Sequence, residues 1–434
     1  MLAMFIGVVT PPLIVGRAIG LDVAETAFLV SISLFTSGVN TYIQVHRFGP
    51  FGSGLLSVQG TSFIFVGLAI ETGKAGGLPL VFTLALVGAF VPMIVSRFIG
   101  PAQRVFPPVV TGSVVMLIGI GLIKVGFAAF AGGVGAPDFG SPTNLLLGLF
   151  TMSSIVLFHA FGRGFVSTVA IALGLALGYL VSALMGRLDL TAVANATWVN
   201  VPVPFRYPFR FDGVWLVPWF MAYMVVAIEC IGNLTATSAV SGEPVSGPLY
   251  VERVKGGVLA DGLGCAITSV FGALPKTSFS QNISIVALTR VASRRVGMIV
   301  GLMLVALGLF PKMAAFVSIM PQPVLGGGTV IMFAMVAVAG FDILQDGGFT
   351  PRKQLILAIT LALGLGVTMV PEATAHLRDA GASTGTAHSV MQALGILMES
   401  GLSVGTMAAV ILNLVLPPDS PDDAPSPEPG RSRG

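Results

Sequence analysis

The sequence predicts an all-α polytopic membrane protein, with fourteen transmembrane segments arranged as two inverted seven-segment repeats. Three observations carry that expectation. Of the 434 residues, 54% are hydrophobic and only 9% are charged, against roughly 25% charged in a soluble domain. Apolar stretches of roughly 20 residues, the span a bilayer asks of a helix, recur along nearly the whole length. Two pairs of short sequences also echo each other about half a chain apart, which suggests internal duplication.

The segments follow one another at Met1–Gly20, Ala24–Gln44, Gly54–Thr72, Gly77–Phe98, Val105–Val125, Thr143–Phe161 and Phe165–Met185 in the first half. In the second half they lie at Val214–Val240, Val254–Phe271, Thr277–Leu288, Val296–Ile319, Pro323–Leu344, Gln354–Val370 and Leu402–Leu416. Ala387–Ser400 is shorter and more mixed, as expected of a segment lying flat at the membrane surface. The tail from Pro417 to Gly434, rich in Pro, Asp and Ser, is expected to be disordered.

Basic residues orient the array. Loops after even-numbered segments hold Arg47, Arg97, Arg104, Arg163, Arg253, Lys255, Arg290, Arg294, Arg295, Arg352 and Lys353. The opposite loops hold only Arg17, Lys74, Lys276, Lys312 and Arg378. The positive-inside rule then puts both termini in the cytoplasm and the long connection Gly186–Gly213 outside. No secretory leader is expected ahead of the first span, since the chain opens directly on an apolar run. The net charge of +3 is small and spread over loops, which argues for topology and against nucleic-acid binding.

The echoes are specific. Residues 107–115, PPVVTGSVV, return loosely as 322–330, QPVLGGGTV, and residues 57–63, SVQGTSF, as 279–285, FSQNISI. Seven segments separate the members of each pair, and an odd number inverts the second copy. Transporters built this way bind substrate at the midplane between discontinuous helices. The stretch Pro275–Arg290, PKTSFSQNISIVALTR, has that character, because backbone leaves the helix at membrane depth only where it is buried in protein or lines a cavity. Short extended stretches are expected here and in the third segment.

Several side chains stand out. Glu229 lies eight residues into an apolar run, where an ionisable group costs at least roughly 2.5 kcal/mol. A carboxylate there can accept two N–H donors of a flat heterocycle, or take a proton. Gln281 and Asn282 bring donors and acceptors suited to the edge of a neutral ligand with alternating C=O and N–H groups. In Gly60–Phe65, Gly60 permits an extended entry, the following half-helix has free amides, and Phe63 can lie flat on an aromatic ligand. Asp261 is a second acid within a span, expected to support the site rather than touch the ligand. Asn233 is one turn beyond Glu229 on the same face. His46 and His159 have no companions at metal-ligand spacing. Gly326–Gly328 lacks the Lys and Ser/Thr of a phosphate loop. Neither a nucleophile with its base nor a metal cluster is evident, so an enzyme is not expected. The two cysteines, Cys230 and Cys265, exclude a disulfide framework.

These residues resemble the nucleobase-ascorbate transporter family, which carries purines, pyrimidines or ascorbate by cation symport. The family signature is an amide or acid, then Asn, any residue, Gly, four variable residues, Thr and usually Arg, matched by Gln281–Arg290. Residues 254–262 (VKGGVLADG), 292–297 (ASRRVG) and 227–242 (AIECIGNLTATSAVSG) also resemble its purine branch. The resemblance covers essentially the whole chain. It implies a core domain of segments one to four and eight to eleven, a gate domain of five to seven and twelve to fourteen, and a homodimer. Glu229 and Gln281 would hold the base, Phe63 would stack on it, and the backbone at Ser62 would complete the pocket with Asn282 and Ser284. Asn233, Asp261, Thr289 and Arg290 would serve coupling and support, and no cofactor is implied beyond a co-transported H+ or Na+. Gln281 is similar to xanthine and urate carriers, whereas uracil carriers tend to have Glu there. Three positions depart from the pattern. Ser284 replaces the motif glycine, Asn233 stands where relatives often have His or Asp, and the Gln-His pair that relatives carry before LAM is missing ahead of Leu2.

Overall fold

The computed structural model describes residues 2–99, 107–279, 282–283, 285–286, 290–345, 348–370, 372 and 401–418. Within these, the regular elements are helices and two three-residue strands, and the chain divides into two compact units. The first unit comprises residues 1–99 and 122–333, the second residues 100–121 and 334–434.

The first unit opens with α1 (Leu2–Ala18) and α2 (Val23–His46). Asp22 caps α2 by accepting a hydrogen bond from the Glu25 amide at 2.7 Å, satisfying one of the free N–H groups of the first turn. Then come β1 (Gln59–Thr61), α3 (Ile64–Gly88) and α4 (Phe90–Val95). The break expected between segments three and four is a kink inside α3. Gly77 takes φ 73°, which a Cβ would resist, and Pro79 supplies no amide to the turn that follows.

The chain continues through α5 (Pro108–Phe130), α6 (Pro142–Phe161), α7 (Phe165–Thr168), α8 (Ala170–Leu184) and α9 (Thr191–Asn195). Next are α10 (Leu216–Val240), α11 (Gly247–Val270), β2 (Lys276–Ser278), α12 (Arg294–Gly308) and α13 (Pro311–Ser318). Helices α12 and α13 meet at a bend of 79°. The last helices are α14 (Gln322–Gln345), α15 (Pro351–Met369) and α16 (Gly401–Val415). The expected surface segment Ala387–Ser400 lies outside the described residues.

Seven described helices are long and apolar enough to cross a membrane, or eight if the bent pair is one span. That is fewer than the fourteen segments expected, because length alone does not count the shorter apolar helices α1, α8 and α16 or the segments interrupted by strands. Helices approach through small residues, as apolar surfaces do when lipid offers no competing hydrophobic drive. On α2 a Cβ at Gly38 would come within 2.4 Å of the Gly301 carbonyl of α12. In the second unit Gly401 of α16 would similarly meet the Gly364 carbonyl of α15 at 2.3 Å.

Candidate functional site

The strands expected in the interrupted segments are found, and they pair with each other. β1 and β2 run antiparallel with Gln59 opposite Ser278, Gly60 opposite Thr277 and Thr61 opposite Lys276. The ladder extends at both ends, Ser62 N–H donating to Pro275 O and Phe279 N–H to Val58 O, each at 3.0 Å. Every residue of both strands is buried, so open backbone at this depth is satisfied by its counterpart from the other half of the chain.

Neighbouring helices fix the pair. Thr41 on α2 accepts from the Gln59 amide at 2.9 Å, and Thr61 donates to Val8 O on α1 at 3.2 Å. From α10, Asn233 donates through Nδ2 to Ser278 O at 2.8 Å. From α11, the Cys265 thiol donates to Lys276 O at 3.1 Å. Phe279 lies over Gly60 so closely that a Cβ there would fall 2.0 Å from the ring. Glycine at 60 is therefore required for close approach.

Glu229 is half-buried on α10, beside Asn233, and its Oε2 is buried with no hydrogen-bond partner. Ser62 Oγ and Gln59 Nε2 are likewise buried and unpartnered, while the Thr277 hydroxyl lies against the Asp261 carboxyl and the Ser278 hydroxyl against the Cys230 thiol. Each such group costs about 1–3 kcal/mol if left without a partner. A cluster of donors and acceptors beside a carboxylate, all at one strand crossing, has the chemistry of a polar-ligand site. Phe63 is buried at the start of α3, its ring edge-on to Phe333 with centroids 5.9 Å apart.

Comparisons with known proteins show the family. Residues 1–373 match a family model described as "Permease family". The chain belongs to the nucleobase-ascorbate transporter family. Xanthine permease XanP of Escherichia coli strain K12 is 39% identical over 432 residues, covering 96% of this chain and 90% of XanP. Uric acid permease PucK of Bacillus subtilis strain 168 is 36% identical over 426 residues, covering 98% and 95%. In fold the chain is similar to the transmembrane domain of the cyanobacterium bicarbonate transporter BicA, with a TM-score of 0.56, 14% identity and 95% of each chain covered. Like other members of the family, this is a multi-pass membrane protein.

Within the family frame, the structure brings Ser62, Phe63, Asn233 and Asn282 to the two strands or the residues that flank them, with Glu229 one turn from Asn233. Asn282 donates through Nδ2 to Leu56 O, so its amide ties the turn after β2 to the residues before β1. Asp261 is buried on α11, with Thr277 and Cys230 against its carboxyl. Arg290 is exposed, with a left-handed backbone at φ 54°. Gln281, Ser284 and Thr289 lie outside the described residues.

One expectation is overturned. Lys276, counted among the loop cations, is 1% exposed in β2 and donates from Nζ to Thr61 Oγ1 at 2.7 Å. A lone lysine beside a proline reads as a loop residue, and only the cross-chain pairing of Thr61 with Lys276 reveals its interior acceptor. Asn40 and Gln44 on α2, both buried, were also missed. Their signal was the run of Ser, Thr, Asn and Gln from Ser31 to Gln44, all inside one apolar span.

Proposed function

We propose that this protein is a secondary active transporter that takes up a purine nucleobase, xanthine or uric acid foremost, by symport with H+ or Na+. The observation that carries the reading is the strand crossing itself. Residues 59–61 and 276–278, from opposite halves of the chain, pair at the entrances to helical segments, and α10 delivers Asn233 and the Glu229 carboxyl, whose Oε2 has no partner, beside them. The relatives named xanthine and uric acid permeases support the substrate class. In this reading Glu229 and Gln281 hold the base, and Phe63 stacks on it. Ser62, Asn282 and Ser284 line the pocket, while Asn233, Asp261, Thr289 and Arg290 serve coupling and support.

The same reading has fourteen segments in two inverted repeats, with both termini cytoplasmic. A core of residues 1–98 and 214–319 moves, elevator-like, against a gate of 105–185 and 320–417, and two copies form a homodimer. The protein acts as a transporter and not as an enzyme. Uracil is the competing substrate, and Gln281→Glu is expected to shift preference toward it.

Uptake of radiolabelled xanthine and urate into cells or proteoliposomes, in competition with uracil and with the ion gradients collapsed, tests the proposal. Saturable purine uptake that stops without a gradient is expected. Preference for uracil, or flux that neither saturates nor needs a gradient, overturns it.

A further inference from the structure

A cavity of about 320 Å3 lies away from the strand pair, and the substrate reading leaves it unused. It is bounded by the end of α1, the α1–α2 turn, the connection from α8 to α9 and the turn from α13 into α14. Among its lining residues are Arg17, Arg187, Asp189 and Gln322, with apolar walls that include Met320 and Pro321. Its volume is at the small end of the range of about 300–1,000 Å3 typical of ligand sites. Arg17 lies nine residues along α1 from Val8, whose carbonyl accepts from Thr61 of β1. At about 1.5 Å per residue, the cavity stands about 14 Å along the helix from the strand crossing. The two are separate places.

Arg17 has donors to spare. Its Nη2 donates to Ser318 O at 2.7 Å and also to Met320 O, capping the end of α13. Nη1 is buried with no partner, and among the described residues no carboxylate pairs with this guanidinium. A guanidinium carries five N–H donors, so the cap uses only part of them. Arg187 donates from Nη1 to Asn144 Oδ1 at 2.6 Å and lies 3.7 Å from the half-exposed Asp138. Asp189 accepts from the Thr191 amide and hydroxyl on Oδ1 alone, at 3.0 and 2.6 Å. Among the described residues no ion pair joins Asp189 to either arginine. Donors and an acceptor thus surround one space without satisfying each other.

The mixture of signs selects the ligand. A simple anion such as phosphate would be drawn to the arginines and repelled by Asp189. An oxopurine uses both, because its edge alternates C=O acceptors with N–H donors. Arginine reads the carbonyl edge of guanine in DNA by the same donor geometry, and a carboxylate accepts N–H groups. The flat faces of such a base suit apolar walls like those at Met320 and Pro321. We propose that this cavity is an entry subsite for an oxopurine, xanthine or urate, in which Arg17 and Arg187 donate to carbonyl oxygens and Asp189 accepts from N–H groups before the base passes to the strand crossing. The inference deepens the proposed function and rests on it. With both termini cytoplasmic, the Arg17 end of α1 opens on the side from which uptake begins.

Uptake kinetics of the full-length protein in proteoliposomes test this, with radiolabelled xanthine and urate as probes and Arg17→Gln and Asp189→Asn as variants. A site that captures substrate ahead of the transport step acts on KM and spares the maximal rate. Each variant is expected to raise KM about tenfold, with the maximal rate within about twofold of the wild type. Unchanged KM in both variants, or a lower maximal rate at unchanged KM, overturns the proposal. Asn at position 189 can keep the bonds to Thr191, so if Arg17→Gln does not fold, Asp189→Asn decides alone. Equilibrium binding in nanodiscs isolates the cavity in Glu229→Gln, where the strand crossing has lost its carboxylate. Residual urate binding that weakens about tenfold on adding Asp189→Asn is expected. No residual binding, or binding indifferent to that change, overturns the subsite. Purine uptake with wild-type kinetics in both variants removes the subsite only. A wild type that takes up no purine, yet binds urate in a way that Asp189→Asn weakens, removes the transport reading only.

Discussion

Thr61 and Lys276 face each other across the two strands, and the lysine donates from Nζ to Thr61 Oγ1 at 2.7 Å with both side chains buried. The contact joins residues 215 positions apart. The buried Nζ has this one acceptor, and a buried polar group left unpaired costs about 1–3 kcal/mol. Thr61→Val is therefore expected to destabilise the protein by roughly 2 kcal/mol. Lys276→Met, which removes the buried polar group itself, is expected to be milder. The double variant should be more stable than the sum of the singles predicts by at least about 1 kcal/mol. Melting of all four proteins in nanodiscs checks this, and strict additivity would show that the contact contributes nothing.

Gly60 and Phe279 make a second, steric link between the halves. With a Cβ 2.0 Å from the ring, Gly60→Ala must displace either Phe279 or β1. Overpacking of this kind costs about 1–3 kcal/mol, and here it also moves the ladder that orders Ser62 and Asn282. Reduced melting temperature together with reduced purine binding is expected. Phe279→Ala added to Gly60→Ala should recover part of the stability, and no recovery would place the damage elsewhere.

What was legible in the sequence follows from which signals are local. Glu229 stands out because an acid in an apolar run is conspicuous without any neighbours, and Pro275 with its Ser-rich sequel marks a broken segment by itself. The strands at 59–61 and 276–278 were expected for the same reason. The ladder register, the interior acceptor of Lys276 and the facing of Asn40 and Gln44 toward Gly264 and Gly257 are properties of pairs far apart in the chain. No local pattern encodes them. The break between the third and fourth segments was legible too, since Gly77, at φ 73°, and Pro79 are local helix interruptions, and the structure keeps it as a kink inside α3.

Glu229→Gln keeps the shape of the side chain and removes its charge. Oε2 has no protein partner, and the Gln amide oxygen can keep the contact with Asn233, so the melting temperature is expected to stay near that of the wild type. Losing charge-assisted bonds to a base should lower xanthine uptake by roughly 10–100-fold. A matched pair of uptake and melting measurements checks both halves. Uptake that persists with its pH dependence unchanged would remove Glu229 from the site and from coupling.

The connection after α8 gives a prediction about alkaline pH. Tyr207 donates to Glu25 Oε1, and Arg206 pairs with Glu25 Oε2 at 2.6 Å while its guanidinium sits 3.9 Å from the centre of the Phe28 ring. Burial first, and then the Glu25 carboxylate, hold the Tyr207 phenol protonated well above its ordinary value of 10.0. The folded state therefore keeps a proton that the unfolded state releases near that value. The sign follows from linkage. The contribution is fully present below the unfolded pKa and drains away as pH rises above it toward the folded one. Melting temperature should fall between roughly pH 10 and pH 12 in the wild type, more steeply than in Tyr207→Phe, which has no proton to lose there. Parallel slopes for the two proteins across that range would mean that the connection is not anchored through this phenol.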